Sequence, residues 1–264
     1  MGGVLSSFVF HPPPTRPSDR VEVDGMSIVH CPKTGVALPV LYVKSQRSTQ
    51  RQTTLLLAHG NAEDLSMVET VARELVERLG VGVCAFEYPG YGTSAWLDET
   101  RADALQPSEE LVLGAAEEVL EWLVTQVPLE DVIFYGVSLG SGAAVHLAAA
   151  CGQNNLRCGG LILHSPIASV LRTALPRLRF TVPVVDMFVN IDKIALIKCR
   201  ATVLHGTADE VVSVACARAL NDAIPLACRA DPLYIANGHH NDLIEYDEFF
   251  AHLNLFIAAA VAQP

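Results

Sequence analysis

Where one apolar run ends and an alanine-rich one begins, the chain reads Ile133-Phe134-Tyr135-Gly136-Val137-Ser138-Leu139-Gly140-Ser141-Gly142, which contains Gly-x-Ser-x-Gly. This spacing suits a sharp strand-to-helix turn with a nucleophilic serine at its tip. The positions two before and two after the serine then approach too closely for a Cβ, which accounts for Gly136 and Gly140. Ser138 is pushed outward. Leu139 opens the following helix, so its N–H lacks an intrahelical partner and is a candidate oxyanion donor. The alternative is a glycine-rich turn with a helix-capping serine.

A serine hydroxyl attacks well only when a positioned base takes its proton. For a nucleophile on such a turn the chain order is serine, acid, histidine. Beyond the helix that contains His146 lie His164, His205, His239, His240 and His252. His164 and His205 end strands ahead of any plausible acid and read as structural, and His252 falls inside the last helix. Asn237-Gly238-His239-His240-Asn241-Asp242 occupies the loop where the base belongs, with His240 favoured over His239. The acid should sit after the penultimate strand, in Leu204-His205-Gly206-Thr207-Ala208-Asp209-Glu210. A carboxylate there accepts the imidazole Nδ1 proton and fixes its tautomer. Asp209 is the better candidate, Glu210 being longer and readily solvated. Asp186, Asp192 and Asp242 are rivals, although Asp242 suits the cap of the final helix.

The second oxyanion donor is expected from His59-Gly60-Asn61-Ala62, where Gly60 turns the backbone and leaves the Asn61 N–H as the donor; Asn61 as a plain turn residue is the alternative. Tyr88-Pro89-Gly90-Tyr91-Gly92-Thr93-Ser94 holds a Gly-x-Gly without the third glycine of a dinucleotide fingerprint, and no phosphate loop occurs elsewhere. It reads as a tight turn at the rim of the pocket. No cofactor and no metal are expected.

The elements that would position these residues follow an α/β rhythm. After the Pro-rich hinge His11–Pro17, Val21–His30 and Val36–Val43 read as antiparallel strands. Thr53–His59, Val81–Tyr88, Asp131–Val137, Gly160–His164, Ala201–His205 and Leu233–Ala236 are rich in Val, Ile and Leu, as parallel strands covered on both faces should be. Helical patterns separate them at Asp64–Leu79, Pro107–Gln126, Leu139–Cys151, Val212–Ala223 and Asp242–Val261. The fold class is α/β: one eight-stranded, mostly parallel sheet with helices on both faces. Residues 1–20 form an N-terminal segment and 21–264 one domain. Pro166–Lys198, inserted between two strands, lies over their carboxyl ends and is a candidate lid. Within it Leu171, Leu175, Leu178, Phe180 and Phe188 are candidates for an acyl groove, or for core.

The 264 residues are 50% hydrophobic and 18% charged with a net charge of −11, which describes a folded globular protein. The acidic balance argues against nucleic acid as a partner. Seven cysteines without a Cys-x-x-Cys pair read as reduced thiols in a cytoplasmic protein. No apolar run is long enough to span a membrane. Met1-Gly2-Gly3-Val4-Leu5-Ser6 fits the N-myristoylation pattern at Gly2 and marks residues 1–20 as a candidate lipid anchor. One myristoyl chain binds only marginally, so Phe8, Val9 and Phe10 are candidates for a second peripheral membrane contact.

From Val36 to Phe256 the chain carries LLLAHGNAEDL, FEYPGYGTS, VIFYGVSLGSG, LILHSPIAS, NIDKI, LHGTADEVV and GHHND in order. In these motifs it resembles the α/β-hydrolase domain-containing protein 17 family of protein depalmitoylases. The resemblance implies a Ser138, Asp209 and His240 triad, the histidine being the one before Asn-Asp, and hydrolysis of S-palmitoyl thioesters on membrane-bound proteins. Animal members carry an N-terminal cysteine cluster, whereas the first cysteine here is Cys31; Gly2 would take over that anchoring role. The expected substrate is thus an acylated protein or a small acyl ester. A serine peptidase of the prolyl-oligopeptidase-like kind and a general carboxylesterase share the triad, and a non-catalytic scaffold shares the fold.

Overall fold

A computed structural model describes residues 9–14, 25–32, 35–47, 53–96, 105–175, 178, 180–182 and 185–261. They fall into two compact units, Met1–Pro128 and Leu129–Pro264. Gly2, Phe8 and the start of the first expected strand lie outside the described residues.

The first unit contains β1 (Met26–Cys31), β2 (Val36–Val43), β3 (Thr54–Ala58), α1 (Leu65–Leu79), β4 (Gly82–Phe86) and α2 (Glu109–Leu123). β1 pairs with β2 and β2 with β4 antiparallel, while β3 and β4 run parallel. Every residue of β3 and β4 is buried, as suits strands that are apolar but for Thr54. α1 buries Leu65, Val68, Ala72, Leu75 and Leu79, one stripe at helical spacing. The Asp64 side chain accepts the N–H groups of Ser66 and Met67 at its start, and Gly80 ends it at φ +70°.

Beneath the turn after β3 lies a buried histidine–glutamate pair. His59 Nε2 is 3.4 Å from Glu87 Oε1, and both side chains are out of water. His59 Nδ1 sits 2.8 Å from the Gly60 carbonyl, its ring stacks on Tyr88 at 3.9 Å, and its own carbonyl accepts the Tyr88 hydroxyl at 2.6 Å. Glu87 Oε2 also accepts the Leu65 N–H at 3.2 Å, at the start of α1. Burial opposes protonation of His59, but the Glu87 carboxylate and the Gly60 carbonyl outweigh it and raise the imidazole above its ordinary value. The Tyr88–Ser94 turn is tight, as expected. It is buried rather than at a rim, because Tyr88 and Tyr91 are core side chains and the Ser94 hydroxyl bonds the carbonyls of both.

The N-terminal stretch 9–14 packs on this unit. Phe10 is buried edge-on against Tyr91, ring centroids 6.4 Å apart. The expectation that Phe10 supplies a membrane contact is therefore corrected: the aromatic neighbour gives it an apolar seat within the unit.

The second unit contains β5 (Val132–Val137), α3 (Ser141–Gln153), β6 (Gly160–His164), α4 (Val170–Ala174), α5 (Asn190–Lys193), β7 (Ala201–Gly206), α6 (Val214–Ala223), β8 (Leu233–Ile235) and α7 (Asp247–Val261). β5, β6, β7 and β8 lie side by side in that order, all parallel. Eight strands, mostly parallel, alternating with helices make this the expected α/β class.

Four local expectations are corrected. The helix after Ser138 begins at Ser141, because Ser138–Gly140 form a tighter 3₁₀ turn. The last helix begins at Asp247 after a separate turn at Leu243–Glu245, since Tyr246 is extended. Asp242 makes no side-chain cap; its carboxylate accepts the His239 N–H at 2.7 Å and so closes the histidine loop. In the insertion, α4 is only five residues long and Phe188 is buried with its ring against Gly142 of α3. Phe188 is core, so the five named residues do not form one groove. Leu175 and Phe180 face solvent at 57% and 66% exposure.

The raised His59 imidazole stabilises the fold below its unfolded value near pH 6.5, and that contribution is lost as pH rises through the higher folded value. Glu87→Gln should therefore cost about 3 kcal/mol at about pH 5.5 and clearly less at about pH 9. Urea unfolding midpoints at the two pH values check this, and an equal loss at both would refute it.

Candidate active site

Ser138 occupies the 3₁₀ turn between β5 and α3 with φ +50°, a left-handed conformation unusual for serine. The strain, about 1–2 kcal/mol, is what turns the hydroxyl away from the sheet. A Cβ on Gly136 would lie 2.6 Å from Ser141 Cα and 2.7 Å from the Gly140 carbonyl oxygen, so only glycine permits the return of the chain. The turn is held from below by a buried polar cluster. The Ser141 hydroxyl donates to the Ser138 carbonyl at 2.6 Å, and Asn190 Nδ2 donates to Ser141 Oγ at 3.0 Å and to the Ile167 carbonyl at 2.9 Å. Asn190, at the start of α5, thereby ties the insertion to the nucleophile turn.

The loops after β7 and β8 clasp each other. Thr207 N–H donates to the Ile235 carbonyl and Ala208 N–H to the Gly238 carbonyl, both at 2.9 Å, and Asn237 N–H donates to Thr207 Oγ1. A side chain on Gly206 would collide with the Gly238 carbonyl, so the close approach depends on glycine there. The clasp brings Asp209 and His240 together.

His240 Nδ1–H donates to Asp209 Oδ2 at 2.8 Å, and His240 Nε2 accepts the Ser138 hydroxyl across 3.1 Å. Because a carboxylate only accepts, the proton belongs on Nδ1 and Nε2 is left with its lone pair toward the serine. Ser138, His240 and Asp209 are all buried at their side chains. Asp209 Oδ1 accepts the Val211 and Val212 N–H groups at 2.9 and 2.8 Å. His205 Nε2–H reaches Asp209 Oδ2 at 3.2 Å and the Val212 carbonyl at 2.9 Å. Burial favours the neutral acid, but hydrogen bonds from His205, His240 and Val212 N–H outweigh it and hold the carboxyl far below the usual carboxylate range. Burial, together with His240 and His205 nearby, lowers His164 to about 3, so this neighbour is neutral; its Nδ1 and the Tyr135 hydroxyl share a hydrogen bond at 2.9 Å.

Of the residues singled out from sequence, the structure brings together Ser138, Asp209 and His240. His239 points elsewhere: it is exposed and pairs with Glu210 at 3.0 Å, which gives that carboxylate a partner as well as solvent. Asp186 accepts the Leu171 N–H and Asp192 the Thr181 hydroxyl, so neither serves the imidazole. His252 binds Thr202 Oγ1. Leu139, in the first turn after Ser138, has an N–H with no partner in that turn. In the first unit the Asn61 side chain is engaged: Oδ1 accepts the Tyr91 hydroxyl at 2.7 Å and the His11 N–H at 3.1 Å, and Nδ2 donates to the Val9 carbonyl at 2.6 Å. Ser141 and Asn190 were not singled out; His205, expected to be structural, holds Asp209 from its place four residues ahead of it.

Among the described residues no group of three or more His, Cys, Asp or Glu is arranged to hold a metal ion. Nor is any helix among them long and apolar enough to cross a membrane.

A serine in a left-handed turn after one strand, with an acid and a histidine in loops after later parallel strands, defines an α/β-hydrolase. Residues 49–190 match the family described as serine aminopeptidase, S33. Alpha/beta hydrolase domain-containing protein 17C of Mus musculus is 33% identical over 207 residues, covering 78% of this chain and 59% of that protein. The same-named protein of Xenopus tropicalis is 32% identical over 226 residues, 85% of this chain and 67% of that one. The fold of Est1E from Butyrivibrio proteoclasticus, solved with ferulic acid bound, superposes with a TM-score of 0.66 over 90% of this chain and all of that one at 15% identity. The chain belongs to the α/β-hydrolase domain-containing protein 17 family and spans about 59% of the mouse relative's length.

Removing the charge on the acid while keeping its shape separates the roles of the two histidines. Asp209→Asn should lower kcat by about 10⁴ with KM little changed, and His205→Gln, which keeps an N–H donor, by no more than about tenfold. Steady-state kinetics on any ester that the wild type turns over checks both; near-wild-type kcat in Asp209→Asn would remove Asp209 from the catalytic set.

Proposed function

We propose that this hydrolase removes S-acyl groups, S-palmitoyl above all, from protein cysteines through a Ser138–His240–Asp209 triad. The observation that carries the reading is the His240 imidazole, bonded at one nitrogen to an ionised, buried carboxylate and at the other to the serine hydroxyl. His240 Nε2 takes the hydroxyl proton as Ser138 Oγ attacks the acyl carbonyl carbon, and Asp209 stabilises the imidazolium that forms. The N–H of Leu139, next to Ser138, holds the oxyanion. Collapse breaks the carbon–sulfur bond, the imidazolium protonates the departing thiolate, and an acyl-serine remains. Water, deprotonated by His240, then releases the fatty acid and restores the serine.

A thioester suits this machinery, because a thiol with a pKa near 8.5 leaves with far less acid assistance than an amine requires. The sequence resemblance implies the same substrate class, and the apolar surface that Leu175 and Phe180 of the insertion present suits an acyl chain. We further infer a peripheral membrane location through a myristoyl group on Gly2. Burial of Phe10 leaves the second contact to other residues.

Turnover of a matched series of acyl thioesters and oxyesters, short to long, by the wild type and by Ser138→Ala tests the reading. Long-chain thioesters should be cleaved fastest, and Ser138→Ala should fall to background with loss of fluorophosphonate labelling. Leu175→Ser with Phe180→Ser should lower long-chain turnover severalfold and spare short chains. A preference for short oxyesters, or for an unblocked peptide, would overturn the substrate class while leaving the triad; an unlabelled Ser138 would overturn the triad.

A further inference from the structure

The second unit carries a cavity that this chemistry leaves unused. It measures about 310 Å³ and is lined among others by Cys158 and Cys199, the cations Arg157 and Lys198, and the single carboxylate Glu130. Glu130, Cys158 and Cys199 each stand two residues ahead of a strand, β5, β6 and β7 in turn. The cavity therefore opens at the amino ends of strands whose carboxyl ends lead to Ser138 and Asp209. Lys198 Nζ is held at 2.5 Å by Asn155 Oδ1.

Two thiols, Cys158 and Cys199, line one cavity, and Cys151 of α3 neighbours Cys158 from behind. Cys151 and Cys158 are buried, whereas Cys199 at the end of the chain of thiols is partly exposed. The contact with Cys158, then burial, pushes the Cys151 thiol up; at Cys158 the Cys151 contact pulls down, and the Cys199 contact and burial outweigh it. The two chains entering β6 and β7 already run side by side, with Leu161 N–H donating to the Arg200 carbonyl at 2.9 Å. The β6–β7 register pairs Leu161 with Ala201, so Cys199 stands one step off Cys158, a diagonal of about 5.8 Å at ordinary strand spacing and rise, within the Cα separation of about 4.4–6.8 Å that a disulfide tolerates.

We propose that Cys199 and Cys158 form a dithiol redox site that takes an anionic low-molecular-weight disulfide of the glutathione disulfide class. Cys199 gives up its proton and its sulfur attacks one sulfur of the bound disulfide. That sulfur–sulfur bond breaks and one glutathione departs as the thiol, leaving a mixed disulfide on Cys199. Cys158 then loses its proton and attacks Cys199 Sγ, expelling the second glutathione thiol and closing the Cys158–Cys199 bond. In sum the two protein thiols are oxidised by two electrons, and one glutathione disulfide is reduced to two thiols. Arg157 and Lys198 favour a ligand that bears carboxylates, and Cys199 leads because it is the thiol open to solvent.

The test is peptide mapping of the full chain after exposure to glutathione disulfide, with acid quenching and alkylation of the remaining thiols in denaturant. The wild type should yield the Cys158–Cys199 cross-link. Cys158→Ser should stop at glutathione on Cys199, and Cys199→Ser should leave Cys151 and Cys158 alkylated. Arg157→Ala with Lys198→Ala should slow reaction with glutathione disulfide about tenfold at low salt and leave that with uncharged hydroxyethyl disulfide unchanged. A Cys151–Cys158 cross-link, an unmodified Cys199, or glutathione spread equally over Cys31, Cys84, Cys216 and Cys228 would overturn the pair. Equal slowing with both reagents would overturn the anionic ligand. The wild-type map decides the first point even if a serine variant folds poorly.

Discussion

The candidate site depends on one strained residue. Ser138 is held at φ +50°, a conformation that an isolated serine avoids, and it persists only because its surroundings over-determine it. Gly136 makes room for the returning chain, and the Ser141 hydroxyl and the Asn190 amide bond the turn from beneath. The same pattern recurs along that end of the parallel strands. Ser165 follows β6 and Asn237 follows β8, both at positive φ and neither glycine. The regular strands thus end in residues that bend away abruptly, and the chemistry-bearing loops hang from those bends. Strain of this kind is found where geometry matters more than local comfort.

Electrostatics then fixes which group carries which proton. Asp209 is a buried carboxylate, and burial alone would neutralise it. Two imidazole N–H donors and two backbone N–H donors converge on its two oxygens, so the ionised form prevails. With Asp209 charged, Nδ1 of His240 must keep its proton and Nε2 must face the serine as a base. His164 nearby stays neutral and adds no competing charge. A different logic governs the first unit. The His59–Glu87 pair is buried and stitches the turn after β3 to the start of α1, so it serves position.

Much of this was legible in the chain. Strands covered on both faces must be apolar throughout, so β3 to β8 stand out as short Val, Ile and Leu runs, and Asp64 and Gly80 mark the ends of α1. The nucleophile turn could be read because its glycine is demanded by sterics rather than by taste. Less visible were groups whose role exists only once distant segments meet. Asn190 reaches Ser141 across 49 positions, and nothing local distinguishes it from any other asparagine. Asp242 illustrates the converse: its position fits a helix cap, yet the N–H of His239 competes for the same carboxylate and wins. Phe188, one of a set at near-helical spacing, is buried with its ring against Gly142 of α3 instead of lining a groove with the others.

The parallel strands β5, β6 and β7 connect two places of opposite chemical demand. At their carboxyl ends a hydroxyl must be made nucleophilic, which calls for an ionised acid, a neutral base and exclusion of water. At their amino ends thiols meet beside two cations, and there the reactive partner must come from solvent. Neither arrangement interferes with the other, because a strand of five or six residues, at about 3.3 Å each, keeps its ends some 15–20 Å apart. What the ends share is mechanical: β7 carries Cys199 at its entrance and Asp209 just beyond its exit, so a covalent tie between the entrances of β6 and β7 acts on the very strand that presents the acid.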